Sequence, residues 1–209
     1  MTLLPEDLLL LFVNEQTGHV LAGPETVTNA LSGGMLAELV HSGRLGYDPH
    51  AKQLRIADPT PLPHPFLHES LTRLHVPLTP RRAVSRTRRY VRDTVLTGLE
   101  ARGVLTTQKR IFGGFVIRDA GAVREVRTAT GSVLFGHRSP DVRAGTLISL
   151  LHAVNAVHKV FGGPEHELTA RAKQIADAQS PAVVAIHAAV VAEMVVAKVA
   201  ATSEGRLLR

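Results

Sequence analysis

The hydrophobic pattern of the first forty residues predicts two helices. Leu3 to Val13 is almost entirely apolar, with the acids Glu6 and Asp7 near its start, and the segment Asn14 to Gly18 breaks this pattern. Such a pattern is typical of a buried helix that ends where the polar residues begin. The stretch from Asn29 to His41 has apolar residues at the spacing of a helix with one buried face. These residues are Leu31, Met35, Leu36, Leu39 and Val40.

A unit of helix, glycine, strand, turn and strand occurs twice along the chain. Gly43 ends the second helix, and the short apolar runs Leu45 to Tyr47 and Leu54 to Ile56 follow it. Glycine commonly ends a helix because it adopts the left-handed backbone conformation without strain. The second copy has a helical stripe, a glycine and two strand-like runs: Val84, Val91, Val95 and Leu99, then Gly103, then Val104 to Thr106 and Phe115 to Ile117. We therefore predict two helix-plus-wing arrangements.

Alternating prolines separate the first unit from the second. Pro59, Pro61, Pro63 and Pro65 leave no room for a helix and favour an extended, polyproline-like connector. We predict a surface loop over about residues 58–80. Neither side of this loop is large enough for an independent core, so we expect one domain over residues 1–209.

The C-terminal third predicts helices throughout. We place them at Ala144 to Phe161, Glu165 to Gln179 and Ala182 to Ala201, with Ser180-Pro181 as the start signal of the last one. Because this last helix is rich in alanine and valine nearly all round, we interpret it as a core helix rather than a membrane span. The predicted fold class is mainly α, a single globular helical domain with small β-hairpins.

Composition narrows the range of functions. The chain has no cysteine, which excludes disulfides, thiolate nucleophiles and cysteine-rich zinc sites. We find no catalytic motif, so we predict that the protein is not an enzyme and has neither a cofactor nor a bound metal. Glu6 and Asp7 stand where a signal peptide would be positively charged, and the longest apolar run is too short for a span, so we expect a soluble, cytoplasmic chain.

Positive charge is concentrated around the start of the second unit. The net charge is +6, and 19 of the 24 cations are arginines, a bias that a phosphate-bearing partner or a GC-rich genome would each explain. Seven arginines and no acid lie between Ser70 and Arg92. Arg82, Arg86 and Arg89 recur at helical spacing, and Arg92 follows one turn later. We predict a cationic helix face that collects phosphates; the alternative is an ordinary solvated face.

Two further motifs allow two interpretations each. Ser32-Gly33-Gly34 is either a glycine-rich anion loop or a place where helices pack closely, and we favour packing. The second hairpin has Ile111 and Phe112 at its tip and Phe115 in its returning strand. These apolar residues next to cations either contact a lipid headgroup layer or pack on the core or on another subunit.

The order of motifs resembles the Golgi phosphoprotein family, whose eukaryotic members read phosphatidylinositol 4-phosphate and retain glycosyltransferases in the Golgi. The similar segments run in family order over nearly the whole chain: Leu8 to Leu11, Glu15 to Gly18, Ala30 to Leu39, Gly43 to Leu45, Val91-Arg92, Gly103 to Thr107 with Lys109, and Leu147 to Ala153.

The resemblance implies a site. In the family, two basic residues three apart hold the lipid phosphate, and Arg89 and Arg92 match them. A tryptophan and an arginine of the family's site correspond to Gly23 and Ser32, and this chain has no tryptophan at all. We therefore expect weaker binding than in the eukaryotic relatives.

The resulting hypothesis is a non-catalytic peripheral membrane or adaptor protein that binds acidic phospholipid headgroups weakly. We place it in the cytoplasm at the inner membrane surface and expect a bacterial family member, with protein clients and a homo-oligomer as further candidate partners. Arg89 and Arg92 would bind the anion, and Arg82 and Arg86 would support it. The alternative from another class is a winged-helix-like nucleic-acid-binding regulator, because a basic helix and a wing can lie along DNA phosphates.

Overall fold

A computed structural model describes residues 2–107 and 114–207, with side chains to residue 199. These residues form ten helices and two antiparallel two-stranded sheets, which confirms the mainly α fold class. The helices are α1 (Leu4–Phe12), α2 (Pro24–His41), α3 (Pro65–Leu74), α4 (Pro80–Thr87), α5 (Val91–Ala101), α6 (Ala120–Leu134), α7 (Val142–Ala153), α8 (Val157–Phe161), α9 (Glu165–Asp177) and α10 (Pro181–Leu207). The strands are β1 (Leu45–Asp48), β2 (Gln53–Ile56), β3 (Leu105–Thr107) and β4 (Phe115–Ile117).

Helices α1 and α2 form the centre of the core. Every residue of α1 is buried, as its apolar sequence predicts. A Cβ atom added at Gly33 would lie 2.6 Å from Leu150 Cδ2, and one at Gly34 would lie 2.6 Å from Leu8 Cδ1. Because both glycines lie inside α2 against neighbouring helices, the packing interpretation of this motif is confirmed, and the anion-loop interpretation is wrong.

The repeated unit of helix, glycine and hairpin is confirmed. Gly43 ends α2 with a φ of +72°, and Gly103 follows α5 with a φ of +67°. After each glycine, the next residue donates its backbone N–H to the carbonyl oxygen five residues earlier, at 2.9 and 3.0 Å. β1 then pairs with β2 and β3 with β4, both antiparallel. The left-handed glycine therefore turns the chain from helix to hairpin in the same way twice.

The segment predicted as a loop over about 58–80 contains a helix. α3 begins at Pro65, whose fixed φ suits the first turn of a helix, where no N–H donor is needed. Its buried residues Leu67, Leu71 and Leu74 lie at helical spacing and pack on the core. The alternating prolines therefore end at a helix start rather than continuing the connector.

The arginine-rich helix is interrupted. α4 ends at Thr87 and α5 begins at Val91, and between them Tyr90 has a φ of −139°, outside the helical range. The prediction of a continuous cationic helix face from Arg82 to Arg92 is therefore wrong. Val84 and Val91 are both fully buried, so each short helix buries its own apolar residue although the stripe spans the break.

The helix predicted from Ala144 to Phe161 is divided in two. α7 ends at Ala153 and α8 begins at Val157, and Asn155 between them has a φ of +54°. Asparagine is one of the few residues other than glycine that enter this left-handed region readily. The chain therefore changes direction at Asn155, although the apolar pattern continues across it.

Helix α10 is buried on one face only, which corrects its interpretation as a core helix. Val183, Ile186 and Val190 pack inside, whereas Val195 and Val199 on the outer side are 56% and 65% exposed. By length and composition, residues 181–199 could cross a membrane. The inner face, however, fills the space beside Gly33 in α2, where an added Cβ would lie 2.9 Å from Val190 Cγ2. α10 therefore lies on the surface of the fold, with an apolar face that no other described part of the chain covers.

Candidate anion-binding site

The arginines of the α4–α5 region divide into paired and unpaired groups. Arg81 Nε lies 2.9 Å from Glu193 Oε1, and Arg88 contacts the other oxygen of the same carboxylate at 3.3 Å. Arg88 also forms an ion pair with Glu25, near the start of α2. These contacts neutralise two of the six arginines between residues 81 and 92, although no acid lies among residues 70–92 of the sequence.

Of the remaining four arginines, one donates a hydrogen bond to a backbone carbonyl oxygen, and the other three are exposed. Arg86 is half-buried, and its guanidinium donates to the carbonyl oxygen of Leu74 at the end of α3. Arg82, Arg89 and Arg92 are exposed, and within the described ranges none of their side chains forms a hydrogen bond or ion pair. Three of the four predicted anion-binding residues are therefore accessible to a ligand, and the fourth supports the fold.

Arg89 and Arg92 occupy different parts of the break between the two helices. Arg89 lies in the turn, where its backbone N–H contacts the Arg86 carbonyl oxygen at 3.4 Å, and Arg92 is the second residue of α5. The three-residue spacing that the sequence shows is preserved, but it does not fall within one continuous helix. The turn, rather than a helical surface, determines how these two side chains are presented.

Arg92 lines a cavity of about 370 Å³ at the start of α2. Its polar lining also includes His19 and Thr107, and Pro24 contributes the first turn of α2. The N-cap of α2, Gly23, provides no side-chain cap for the first backbone N–H groups. An unpaired guanidinium and the positive end of an 18-residue helix therefore border the same cavity, and both favour an anion. The apolar lining includes Leu9, Val20, Val27 and Phe115.

The walls of the cavity are held by two local contacts. Thr107 donates its backbone N–H and its hydroxyl to Glu100 Oε1, at 2.9 and 2.8 Å, and these bonds lower the pKa of Glu100. Gly18 accepts from the backbone N–H of Phe115 at 2.9 Å. A Cβ at Gly18 would lie 1.9 Å from the Phe115 carbonyl oxygen, and the φ of Gly18 is +69°. Only glycine allows the 18–22 loop to approach β4 this closely.

The hairpin residues predicted to contact a membrane or a subunit are Ile111, Phe112 and Phe115, and the structure describes only Phe115. Phe115 is 5% exposed and belongs to the hydrophobic core, so it cannot serve as a surface contact in this structure. Ile111 and Phe112 lie outside the described residues. Within the described part of the chain, no group of three histidines or acids is placed to bind a metal ion.

Comparison with protein families now identifies the fold. A family model described as Golgi phosphoprotein 3 (GPP34) matches residues 4–196, which is nearly the whole chain. The chain belongs to the Golgi phosphoprotein 3 family. The resemblance seen in the sequence is thereby confirmed. A search of curated proteins gave no match.

Golgi phosphoprotein 3 family membership gives the function in outline. The family consists of non-enzymatic, lipid-binding or adaptor proteins. The two positions that the sequence resemblance matches to the family's tryptophan and arginine differ in their surroundings. Gly23 lies between Ala22 and Pro24, which both line the Arg92 cavity, whereas Ser32 is fully buried and donates its hydroxyl to the Thr28 carbonyl oxygen at 2.7 Å. Only Gly23 is therefore close to the candidate site.

Sequence reasoning missed the carboxylate that removes two arginines from the site. Glu193 is 7% exposed and lies more than one hundred residues from Arg81 and Arg88. One signal was present in the sequence: Glu193 is the only acid between Pro181 and Val199, in a helix rich in alanine and valine. A lone buried acid requires a cationic partner, and the arginine-rich segment is the richest source of cations.

Proposed function

We propose that this protein is a non-catalytic peripheral membrane or adaptor protein that binds anionic, phosphoinositide-type lipid headgroups in the Arg92 cavity. In this proposal, Arg92 and Arg89 bind the phosphate, and Arg82 adds long-range attraction to an acidic membrane. The protein would act in the cytoplasm at the inner membrane surface of a bacterium, with protein clients and self-association as additional contacts. Family membership supports the general role, and the cavity supports this particular site.

One observation carries the proposal: Arg92 lines a cavity at the N-terminus of α2 without a carboxylate partner in the described structure. Arg88, which precedes Arg89 in the turn, is instead paired with Glu25 and Glu193. The unpaired charge at the cavity therefore comes from Arg92, with Arg89 close to it in the chain.

The expected affinity follows from the contacts that remain. Each arginine close to an acidic leaflet contributes about 1 kcal/mol. Loss of Arg89 and Arg92 together should therefore weaken membrane binding about 30-fold, since about 1.4 kcal/mol corresponds to tenfold. The family's tryptophan and arginine contacts are missing at Gly23 and Ser32, so we expect weak, salt-sensitive binding.

Co-sedimentation with vesicles tests this proposal. The vesicles contain phosphatidylcholine alone, or phosphatidylcholine with phosphatidylinositol 4-phosphate or with phosphatidylglycerol. We expect Arg89→Ala/Arg92→Ala to lose about 30-fold in binding to acidic vesicles. The control, Arg55→Ala/Arg138→Ala, removes the same charge from side chains that are 55% and 56% exposed elsewhere. Equal losses in the two double variants, or equal binding to neutral vesicles, would contradict the site.

A gain-of-function variant tests the role of the cavity rim. A Cβ at Gly23 would meet no atom within 4 Å, and the φ of −64° suits any residue. We expect Gly23→Trp to strengthen binding to phosphatidylinositol 4-phosphate vesicles several-fold, because an aromatic ring would again stand beside the headgroup. Unchanged binding by a folded Gly23→Trp variant would show that this rim does not contact the lipid.

The first helix-plus-wing unit gives no support to the nucleic-acid alternative. α2 precedes the first hairpin, where a winged-helix protein would have its recognition helix, but most of α2 is buried between α1, α7 and α10. A helix in that position cannot enter a DNA groove. A duplex DNA titration over increasing salt tests the alternative directly: a steep salt dependence without vesicle binding would favour it.

A further inference from the structure

A second cavity, of about 450 Å³, is lined by residues of α1, α6 and α7. We call it the Asp7 cavity, after the buried acid in its wall. It shares no lining residue with the Arg92 cavity. Its volume lies in the range of about 300 to 1,000 Å³ that is typical of small-molecule sites. All three helices contribute apolar side chains to it: Leu10, Ala122, Val126, Ala129, Ala144 and Leu147. An apolar molecular body therefore fits between these helices.

The charged lining of the Asp7 cavity is acidic, although the chain as a whole has a net charge of +6. Arg143 pairs with Asp7, and Arg138 pairs with Asp141. The remaining lining acid, Glu125, is exposed, and its side chain forms no hydrogen bond or ion pair in the described structure. Three acids and two arginines leave the lining with one negative charge, so this cavity attracts a cation.

Asp7 is buried without a full set of partners. Its side chain is 3% exposed; Oδ2 accepts from Arg143 Nε at 2.8 Å, whereas the buried Oδ1 has no hydrogen-bond partner among the described residues. Arg143 is also shared, because the buried Glu38 lies 3.8 Å from the same guanidinium. Burial raises the pKa of Asp7 against the attraction of Arg143. Buried acceptors without a donor are uncommon in native proteins, so this carboxylate points to a missing donor.

The chemistry of the walls selects an organic cation as that donor. Within residues 2–107 and 114–199, no group of three histidines or acids is placed to bind a metal ion. A water molecule would donate to Asp7 Oδ1 but would leave the negative charge uncompensated. A protonated amine supplies N–H donors and a positive charge together, and the apolar residues of α6 and α7 can cover the rest of the molecule.

We propose that the Asp7 cavity binds a small organic molecule that carries a protonated amine, with the amine at Asp7 and the apolar body against α6 and α7. Glu125 adds attraction from its exposed position. The site is independent of the proposed lipid site, because neither Arg89 nor Arg92 lines it. The two proposals can therefore fail separately.

Two probes of the same shape test the role of charge. Phenethylamine carries the protonated amine, whereas 2-phenylethanol has the same ring and chain with a neutral hydroxyl. In saturation-transfer NMR titrations, we expect the wild type to bind phenethylamine at least about tenfold more tightly, because hydrogen bonds between charged groups are the stronger ones. Equal affinities, or no binding by either probe in the millimolar range, would overturn the proposal and leave water as the partner of Asp7 Oδ1.

Variants of the lining test the location. Asp7→Asn keeps the shape of the side chain and removes its charge, so we expect the preference for phenethylamine to disappear. Ala129→Phe fills the cavity from an exposed position in α6, and we expect it to abolish binding of phenethylamine. Its control is Thr128→Phe, at the preceding exposed position, which does not line the cavity.

The variants keep the proposal falsifiable whether or not Asp7→Asn folds. If circular dichroism shows that Asp7→Asn is unfolded, the comparison of the two phenylalanine variants decides, and equal binding of phenethylamine by both would contradict the site. We expect Arg89→Ala/Arg92→Ala to bind phenethylamine like the wild type, and Ala129→Phe to sediment with acidic vesicles like the wild type. Loss of phenethylamine binding in Arg89→Ala/Arg92→Ala would assign the amine to the other cavity and overturn the proposal.

Discussion

Two groups of arginines in this protein have the same chemistry and different surroundings. Around α1, Arg102 binds both carboxylate oxygens of Glu6 at 2.7 and 2.8 Å, and Arg143 binds Asp7 at 2.6 Å. The acids are 1% and 3% exposed. We call these four residues the inner charge cluster. Its arginines are held by buried carboxylates, so their role is to stabilise the fold.

The arginines at the α4–α5 turn present the opposite case. Arg82, Arg89 and Arg92 are exposed, and no side-chain partner for them occurs among residues 2–107 and 114–199. Their removal leaves no buried acid unpaired. An arginine's role therefore depends on what its guanidinium contacts, and the number of arginines in a segment does not reveal this.

The largest effect should come from the inner charge cluster. Burial raises the pKa of Asp7 and Glu38, because it disfavours the charged form of each acid. Arg143 is the nearest cation to both carboxylates, and Arg143→Ala removes it. We expect a loss of about 3 to 5 kcal/mol in the free energy of unfolding, measured by urea denaturation with circular dichroism. The control is Arg138→Ala, which breaks the exposed pair with Asp141 and should cost less than about 1 kcal/mol. Similar losses for both variants would remove the distinction between inner and outer charges.

Packing gives a second, smaller contrast between interior and surface. Gly33→Ala forces a Cβ to within 2.6 Å of Leu150 Cδ2, so we expect a loss of about 1 to 3 kcal/mol. Gly46→Ala is the control, since its Cβ would lie 3.7 Å from Ala57 Cβ, an ordinary contact. Thermal unfolding should show a clear decrease for the first variant and little change for the second. A stable Gly33→Ala protein would mean that the α2–α7 contact can relax.

A pair of half-buried histidines is intermediate in burial between the inner charge cluster and the exposed arginines at the α4–α5 turn. His152 Nδ1 and His187 Nε2 lie 3.1 Å apart, and burial lowers the pKa of both rings. The folded state therefore binds protons less readily than the unfolded state, so stability present above about pH 6.5 is lost as the pH falls below it. We expect His187→Gln to lose less stability on acidification than the wild type, measured by urea denaturation across this pH range.

The matched control for this pH dependence is His50→Gln, which changes an exposed histidine in the first hairpin turn. Its stability should follow the wild-type pH profile. Asp177 and Lys173 on α9 also influence the pair and are unchanged in both variants. A wild-type profile for His187→Gln would show that the pair does not contribute.

The smallest effect on stability is expected for Arg89→Ala/Arg92→Ala. Both side chains are exposed and unpaired in the described structure, so we expect a change within about 0.5 kcal/mol in the free energy of unfolding. A large loss in urea denaturation would show that these arginines support the fold as the inner ones do. The same variant would then be unsuitable as evidence for lipid binding.

The sequence predicted elements with strong local signals. Gly43 and Gly103 marked the two helix-to-hairpin turns, and both have the expected positive φ. Local patterns failed where tertiary contacts decide the outcome. The break at Tyr90 interrupts a continuous apolar stripe, and Pro65 begins a helix within a proline-rich segment. The exposed face of α10 could not be inferred from the sequence, because alanine and valine occur on nearly all sides of this helix.

The candidate site was predictable only in part. Arg89 and Arg92 were found from their spacing and from the family resemblance, whereas Arg86 proved to bind the Leu74 carbonyl oxygen. Partners such as Glu193 come from distant segments, and a single sequence does not say which arginines such an acid will contact. The cavity likewise depends on how α2, α5 and the hairpin meet, which the pattern of individual elements does not describe.

The double ion pair of Arg88 has a consequence for the thermodynamics of any anion that binds at the neighbouring turn. Arg88 joins the turn to Glu25 in α2 and to Glu193 in α10. The peptide that leads into Arg89 is thus held before a ligand arrives, and binding need not order this segment of backbone. Preorganisation of this kind reduces the entropy lost on association, so Arg88 can influence affinity without contacting the ligand.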